Sequence, residues 1–343
     1  MNNQNNNENT FSPDSIDIIM QDVLALLNIQ IPYKERISEI SNLMKNQDKN
    51  FQELNLTVIS STLKYEQNTY IINPFGLKNS KRNAKDGIVL FGYEKKNIKR
   101  KNENVSTENN NIYSNESLAN NININIINSE SDLSNAFCLN DFVFPIEEKE
   151  ENIGLYEFPN FAIFYNIKDK HYYIKDFNTG VGALMKIKHV QLDLNTLINI
   201  GSSYLVLYIN NNTIIFKIFN NNTISEGKNN EESIGQNYVT KEYKIKEDED
   251  CLITIGRSQK CDIIIEDMML SKIQAYIEYQ AKTKKFYLID GDGNKESTNG
   301  TWVFILNATK ITNNFMFKAE HTLFLATFEE NQFLIINFKI LFK

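Results

Sequence analysis

Residues 252–301 read LITIGRSQKCDIIIEDMMLSKIQAYIEYQAKTKKFYLIDGDGNKESTNGT. Short runs of β-branched and aromatic residues, such as Leu252–Ile255 and Phe286–Ile289, alternate here with turns rich in Gly, Asn, Asp and Ser. No helical periodicity separates the runs. Short strands that are joined directly by turns are typical of an antiparallel β-sandwich.

Runs of the same kind occupy most of the chain on both sides of this stretch. They are Thr69–Ile72, Ile88–Phe91, Phe142–Phe144, Phe161–Tyr165, Tyr172–Ile174, Leu205–Ile209, Ile214–Ile218, Tyr243–Ile245, Ile263–Ile265, Ala275–Tyr279, Leu323–Ala326 and Phe333–Phe338. Two low-complexity segments interrupt them. Residues 97–136 are rich in Asn and predict a long solvated loop, and residues 220–238 predict a linker.

Residues 12–65 have a helical pattern instead. Ser12-Pro13 is typical of a helix start, and one apolar stripe runs from Ile16 to Leu27 at spacings of three and four. A second stripe begins at Ile37, and a weaker third segment is predicted on Leu54, Val58 and Leu63. We expect these helices to pack on the following domain; the alternative is a protruding dimerisation or partner-binding hairpin.

The two blocks of strands are copies of one unit. AIFY ends at Tyr165, 11 positions before the end of YYIKD at Asp176, and YIEY ends at Tyr279, 11 positions before the end of FYLID at Asp290. LITIGR corresponds to IVLFGY, CDIII to NDFVF, Gly300 to Gly182, and HTLFLAT to NTLINIG. A repeated unit of about 100 residues therefore covers most of residues 68–343.

The composition excludes several classes of protein. The net charge is −7, from 36 Lys+Arg and 43 Asp+Glu, so neither nucleic acid nor an anionic membrane is an expected partner. The N-terminus lacks the features of a signal peptide, and the three cysteines lack zinc-site spacing. We expect an intracellular protein, cytoplasmic or nuclear and not secreted, without metal or cofactor. No nucleophile motif accompanies the three histidines, so no catalytic residues and no enzyme are predicted.

Five pieces of the second copy, in this order, resemble the motif of the forkhead-associated (FHA) domain family. They are GRS (Gly256–Ser258), CDIII (Cys261–Ile265), SKIQA (Ser271–Ala275), FYLID (ending at Asp290) and STNGT (Ser297–Thr301). The resemblance covers about residues 240–340. It implies an eleven-stranded β-sandwich whose loops at one end bind phosphothreonine peptides without catalysis.

The resemblance places the phosphate contacts on Arg257, Ser271 and Thr298, with Lys272 assisting and Asn299 holding the main chain of the peptide. The chemistry of these side chains agrees. A phosphate dianion offers three acceptor oxygens, which a guanidinium fork, an ammonium group and hydroxyls can satisfy.

Three further positions match structural parts of the motif. Gly256 and Gly300 match glycines that the turns require, and Gln274 replaces the family's His, which supports the binding loop. Four extra residues, which include Gly291-Asp292-Gly293, precede STNGT. Met269 lies in a region that tunes peptide specificity in some members of the family.

The first copy has lost the phosphate-binding residues. At the positions of Arg257, Ser271, Thr298 and Asn299 it carries Tyr93, Glu157, Gly180 and Val181. A Glu in place of the Ser repels phosphate, and no Arg replaces the lost cation. The first copy is therefore predicted to be a degenerate FHA-like sandwich.

The predicted fold is mainly β, with two tandem FHA-like antiparallel β-sandwiches of about eleven strands each after a short helical segment. Its parts are a disordered tail (1–11), a helical segment (12–65), a degenerate sandwich (66–219), a linker (220–238) and an FHA domain (239–343). The predicted function is a non-enzymatic adaptor or scaffold that binds a phosphorylated protein, with other subunits of a complex as possible further partners. The alternative is a structural subunit that uses both sandwiches as phosphate-independent interaction surfaces.

Overall fold

A computed structural model describes residues 13–45, 51–65, 67–80, 82, 84–93, 139–144, 159–179, 182–192, 195–210, 213–220, 238–246 and 248–328. The predicted tail (1–11), the Asn-rich loop (97–136) and the predicted strand Phe333–Phe338 lie outside the described residues, as does most of the predicted linker.

The protein is mainly β, as the sequence predicts, with two helices at the N-terminal side. The helices are α1 (Pro13–Leu26) and α2 (Tyr33–Lys45). The strands are β1 (Leu54–Ser61), β2 (Thr69–Asn73), β3 (Gly76–Leu77), β4 (Ile88–Gly92), β5 (Phe142–Val143), β6 (Phe161–Asn166), β7 (His171–Asp176), β8 (Leu184–Ile187), β9 (His189–Gln191), β10 (Leu197–Ile200), β11 (Ser203–Asn210), β12 (Thr213–Asn220), β13 (Tyr238–Lys244), β14 (Cys251–Gly256), β15 (Ile263–Ile264), β16 (Ala275–Gln280), β17 (Lys285–Asp290), β18 (Thr301–Phe304), β19 (Thr309–Lys310), β20 (Phe315–Ala319) and β21 (Thr322–Phe328).

The predicted third helical segment is wrong, because Leu54 and Val58 belong to β1. Leu54 and Leu56 are fully buried at the spacing of two that a strand requires. β1 pairs with β2 and also with β21, far along the chain. A local pattern cannot show such a partner, so this short apolar run was ambiguous between helix and strand.

The two helices pack on the protein, as expected, and form a layer over one face of a β-sheet. Their apolar side chains share a cluster with alternate residues of β4 and β6: Met20, Val23, Leu24, Leu27 and Tyr33 meet Ile88, Leu90, Ala162 and Phe164. The intervening residues of β4 and β6 face the opposite way, into a different core. Since successive side chains of a strand point to opposite faces, this sheet is buried on both sides.

The strands form three sheets. One has eleven strands in the order β13-β12-β11-β10-β18-β8-β20-β21-β1-β2-β3, and two have five strands each, β15-β14-β16-β17-β9 and β19-β7-β6-β4-β5. Strands from both predicted copies contribute to the large sheet. Its centre is the antiparallel pair of the corresponding strands β8 and β18, in which Met185 lies opposite Val303.

Two apolar cores lie between these sheets, and they divide the chain in an unexpected way. All buried residues of one core lie between Ile187 and Val303, without interruption by the other core. The buried residues of the second core come from Ile40–Ala183 and again from Ile305–Ala326. We call them the inserted core and the enclosing core. The inserted core thus takes β10 and β11 from the first copy, whereas β20 and β21 of the second copy complete the enclosing core.

The boundaries predicted from composition, 66–219 and 239–343, do not coincide with these cores. β12 (Thr213–Asn220) pairs with β13 across residues 220–238, so this segment connects two neighbouring strands of one sheet.

Equivalent registers support the internal repeat over much of its length. Phe161 pairs with Asp176 in β6–β7, and Ala275 pairs with Asp290 in β16–β17, as the predicted correspondence requires. β4–β5 and β14–β15 are both short parallel pairs. Asp141 accepts a hydrogen bond from the N–H of Leu90, two residues before Gly92, and Asp262 accepts one from the N–H of Thr254, two residues before Gly256.

The predicted match of NTLINIG to HTLFLAT is wrong by one strand. NTLINIG contains β10, which pairs with β18, and HTLFLAT contains β21, which pairs with β20 and β1. The position of β21 in its half of the large sheet is that of β11, SYLVLYIN. Both segments are short apolar strands beside a hairpin turn, so sequence similarity alone did not separate them.

Lys318 connects the two halves of the large sheet and makes stability dependent on pH. Its Nζ donates to Oδ1 of Asn199 on β10 and lies 4.7 Å from the centroid of the Trp302 ring. Burial lowers the pKa of Lys318 to about 8. Between this value and the unfolded value of about 10.4 the unfolded chain binds more protons, so stability rises with pH in that window.

We therefore expect the stability of Lys318→Met, compared with that of wild type, to be highest below pH 8. From pH 7 to about pH 10.5 the free energy of unfolding of wild type should rise by about 1–3 kcal/mol more than that of the variant. Urea unfolding at both pH values measures this difference, with Lys241→Met, a change at an exposed lysine, as the control. Equal pH dependence of wild type and Lys318→Met would refute the expectation.

Candidate functional site

The five predicted phosphate-site residues lie on three loops at one end of the inserted core. Arg257 follows β14 directly, Ser271 and Lys272 lie in the loop before β16, and Thr298 and Asn299 lie in the loop before β18. Antiparallel strands bring these loop ends to the same edge of the sandwich. The fold therefore assembles residues that are up to 42 positions apart in the sequence.

Hydrogen bonds bring the three loops into contact. Nε of Arg257 donates to the carbonyl of Leu270 at 2.7 Å. The backbone N–H of Thr298 donates to Oγ of Ser271 at 3.0 Å, and the two hydroxyl oxygens are 3.3 Å apart. Nδ2 of Asn299 donates to the carbonyl of Met269 at 2.6 Å. Arg257, Thr298 and Asn299 thus each contact the segment 269–272, which carries Ser271 and Lys272.

The site presents positive charge to solvent. Arg257, Lys272, Thr298 and Asn299 are exposed, and Ser271 is half-buried. Within the described part of the chain, neither Arg257 nor Lys272 forms a salt bridge. Their charges are therefore not neutralised by a carboxylate at contact distance, and they remain available to an anionic ligand.

Gly256 is required by the close approach of two backbone segments. A Cβ atom at this position would lie 2.3 Å from the carbonyl oxygen of Lys272 and 3.0 Å from Cα of Ile273. The close approach allows the N–H groups of Arg257 and Ser258 to donate to the carbonyls of Ser271 and Lys272. Gly256 thereby places Arg257 next to the hydroxyl-bearing loop.

Gln274, at the position where the FHA motif is expected to have a His, connects the loop before β16 to the loop before β18 from the buried side. Its side chain is fully buried. Oε1 accepts from the N–H of Ser271 at 3.0 Å, and Nε2 lies 2.7 Å from Oγ of Ser297, 3.0 Å from the carbonyl of Gly300 and 3.3 Å from Oγ1 of Thr301. The glutamine therefore connects the loop of Ser271 to the loop of Ser297–Thr301 through a network in which both ends of its amide have partners.

Gln274→Leu should lower stability by about 2–4 kcal/mol, because two buried backbone groups then lose their partner at about 1–3 kcal/mol each. Those groups are the N–H of Ser271 and the carbonyl of Gly300. Urea unfolding measures the change, and Gln280→Leu at the half-buried end of β16 is the matched control. Equal stability of the two variants would contradict the supporting role of Gln274.

Sequence reasoning missed the anchoring function of Asp290. This buried carboxylate accepts from the N–H and Oγ of Ser297 and from Oγ1 of Thr301, with O–H···O distances of 2.6 Å. Its counterpart Asp176 accepts from the N–H groups of Asn178 and Ala183. The same Asp at the end of β7 and of β17 was visible in the repeat and could have indicated this anchoring.

The corresponding end of the first copy has different chemistry. Tyr93, at the position of Arg257, is partly buried, and its ring centroid is 5.7 Å from that of Phe144. Asn160 occupies the position of Gln274 in the register of β6. The predicted replacements Glu157, Gly180 and Val181 lie outside the described residues.

Comparison with known proteins supports the assignment of the second copy. The family model of the FHA domain matches residues 253–323, which are 71 of the 343 residues. No curated protein and no solved structure was found to match the chain. The match supports an FHA domain in the C-terminal part of the sequence, while the FHA relationship of the first copy stays a prediction.

The matched segment crosses from one core to the other. Its residues up to Val303 contribute to the inserted core, whereas those from Ile305 onward contribute to the enclosing core. All five predicted site residues belong to the part before Val303.

The described helices include none that is long and apolar enough to cross a membrane. The described residues also include no group of three or more His, Cys, Asp or Glu side chains placed to hold a metal ion.

Proposed function

We propose that this chain is a non-enzymatic adaptor or scaffold that binds a phosphothreonine-containing protein through Arg257, Ser271, Lys272, Thr298 and Asn299. FHA domains are phosphothreonine-binding interaction modules rather than enzymes, and residues 253–323 match this family. The single observation that carries the proposal is the contact of three loops that present two unneutralised cations beside two hydroxyls.

The hydrogen bonds already formed leave suitable groups for a phosphopeptide. Arg257 uses Nε for the carbonyl of Leu270, so both terminal nitrogens of its guanidinium are left for phosphate oxygens. Asn299 uses Nδ2 for Met269, so Oδ1 is left to accept an N–H of the peptide main chain. The loop side of the site is thus held in place before the ligand arrives, which lowers the ordering cost of binding.

Binding of the full chain to a degenerate library of phosphothreonine peptides tests this proposal, with the unphosphorylated library beside it. We expect Arg257→Ala to weaken binding about 10- to 150-fold, because a charge-assisted hydrogen bond contributes about 1.5–3 kcal/mol. Binding should also weaken at high salt.

Lys260→Ala is the matched control, since Lys260 is an exposed cation in the loop that follows Arg257. It should leave the affinity within about twofold, as expected for an exposed charge without a defined partner. Equal binding of both libraries would instead favour a structural subunit that uses its sandwiches as phosphate-independent surfaces.

We propose that the first copy has a phosphate-independent role. The support is Tyr93, which fills the position of Arg257 with a partly buried aromatic ring. Isothermal titration of the full chain with one selected phosphopeptide should then give a single site per chain. A second phosphate-dependent site that survives Arg257→Ala would contradict this assignment.

A further inference from the structure

The loop that carries Ser271 and Lys272 is attached to a turn of the first copy. Asp267 lies in this loop and is buried. Its Oδ2 accepts from the N–H and from Oγ of Ser202, both at 2.8 Å, and lies 3.4 Å from Oγ of Ser203. Its Oδ1 accepts from the N–H of Met269 at 2.8 Å. Asp267 therefore connects the β10–β11 turn to the residue that Asn299 contacts.

The charge state of Asp267 agrees with this arrangement. Burial alone would raise its pKa, but the N–H of Met269 and the N–H and hydroxyl of Ser202 hold the pKa below the ordinary aspartate value. A carboxylate with this many donors stays ionised at neutral pH. The contact between turn and loop is thus a set of charge-assisted hydrogen bonds, which are stronger than neutral ones.

Gly201 allows the turn to lie directly on the loop. Its φ of +56° favours glycine, and a Cβ atom would lie 2.6 Å from Oδ2 of Asp267 and 3.1 Å from Cβ of Met269. The approach is therefore tight at both residues. A side chain at this position would press on the loop segment that precedes Ser271.

A second contact from the first copy holds the other loop of the site. On the segment β8–β9, Lys186 and Lys188 lie with Nζ 3.2 Å and 2.7 Å from the carboxylate oxygens of Glu296. A Cβ atom on Gly300 would lie 2.8 Å from Cε of Lys186. The loop that carries Thr298 and Asn299 therefore rests on Lys186.

We propose that the phosphopeptide site is composite, and that the turn Gly201-Ser202 together with Lys186 positions the two loops that bear its binding residues. These positioning residues precede the FHA match at 253–323 along the chain. The proposal rests on the proposed function for its ligand, but the contacts with Asp267 and Glu296 exist without one.

Two readouts on the full chain test the composite site. The first is the affinity for a phosphothreonine peptide selected on wild type, and the second is hydrogen exchange of the Met269 amide, which needs no ligand. Gly201→Ala should weaken the affinity at least about tenfold. Ser202→Ala should weaken it about fivefold, because it removes only one of the hydrogen bonds to Asp267 and acts on the ligand only through the loop. Both should speed exchange at Met269.

Gly76→Ala is the matched control, because Gly76 also has a positive φ but a Cβ atom there would have only ordinary contact. It should change neither readout. Ser202→Thr keeps the hydroxyl and should retain the wild-type affinity, which separates positioning from general destabilisation. If Gly201→Ala does not fold, the comparison of Ser202→Ala with Ser202→Thr decides whether the turn positions the loop of Ser271.

The outcomes separate this inference from the proposed function. Unchanged affinity and unchanged Met269 exchange in both Gly201→Ala and Ser202→Ala would overturn the composite site while the proposed function stands. If wild type binds no phosphopeptide, the proposed function fails, and Met269 exchange alone decides whether the turn positions the loop.

Discussion

We expect a fragment of residues 182–306 to fold independently and to bind the same phosphopeptides as the full chain. A fragment of residues 239–343 should stay unfolded. The reason is that the fragment 182–306 contains the whole inserted core, whose buried residues all lie between Ile187 and Val303. The fragment 239–343 lacks β10, β11 and β12, which form one side of that core.

The missing strands carry large buried side chains. Leu205, Leu207, Ile214 and Phe216 are all completely buried. Each contributes about 1.5–3 kcal/mol by burial, and their sum is comparable to the 5–15 kcal/mol that usually stabilises a domain. A urea transition and amide chemical-shift dispersion distinguish the two fragments, and phosphopeptide affinity tests the site on the folded one.

Leu207→Asp in the fragment 182–306 is the control for a specific core, because it places a charge among the same apolar neighbours. It should abolish the cooperative transition. Cooperative unfolding of residues 239–343, together with no transition for residues 182–306, would show that the boundaries predicted from composition describe the folding units better than the two cores do.

Most strands, and the loop positions of the proposed site residues, could be predicted from sequence because both depend on local signals. Alternating apolar runs such as Ala275–Tyr279 became strands, and the ordered motif placed Arg257 and Thr298 on loops that the structure brings together. The equal spacings from Tyr279 to Asp290 and from Tyr165 to Asp176 aligned the two pairs of strands, and β16–β17 and β6–β7 have equivalent registers.

The assignment of strands to the two cores could not be predicted in this way. In the predicted repeat both copies have similar apolar strands in the same order, so the apolar pattern is the same whether β10 and β11 pack in the inserted core or in the enclosing core. In the structure β9, which follows β8, pairs with β17, and β19, which follows β18, pairs with β7. Such pairing is a property of tertiary geometry, as is the fit of Gln274 in place of a His.

The polar network beneath the N-terminal helices predicts the largest effect of a single substitution. Asp86 is fully buried and accepts from Nη1 of Arg82 at 2.7 Å, from Oη of Tyr33 at 2.8 Å and from the N–H of Ile88 at 2.9 Å. Arg82 is almost fully buried and also contacts Asp141 at 2.9 Å. Asp86 therefore helps to neutralise a buried guanidinium and holds α2 against β4.

Asp86→Ala should lower the free energy of unfolding by about 3–5 kcal/mol, because it removes one of the two carboxylates that contact the buried Arg82 guanidinium. It also leaves the Tyr33 hydroxyl and the N–H of Ile88 without their acceptor. The control Asp17→Ala removes a carboxylate of α1 that contacts α2. Asp17 lies 3.0 Å from Lys34, whose side chain is 78% exposed, so its loss should cost at most about 1 kcal/mol. Urea unfolding of the full chain measures both.

Asp86→Asn separates charge from hydrogen bonding in this network. Asparagine keeps the shape and one acceptor oxygen for Tyr33 or Ile88, but it leaves Arg82 with Asp141 as its remaining carboxylate partner. If charge compensation dominates, the loss for Asp86→Asn should approach that for Asp86→Ala. If both Asp86 variants are as stable as Asp17→Ala, the network does not hold the helices, because a dispensable buried carboxylate cannot be balancing a buried guanidinium.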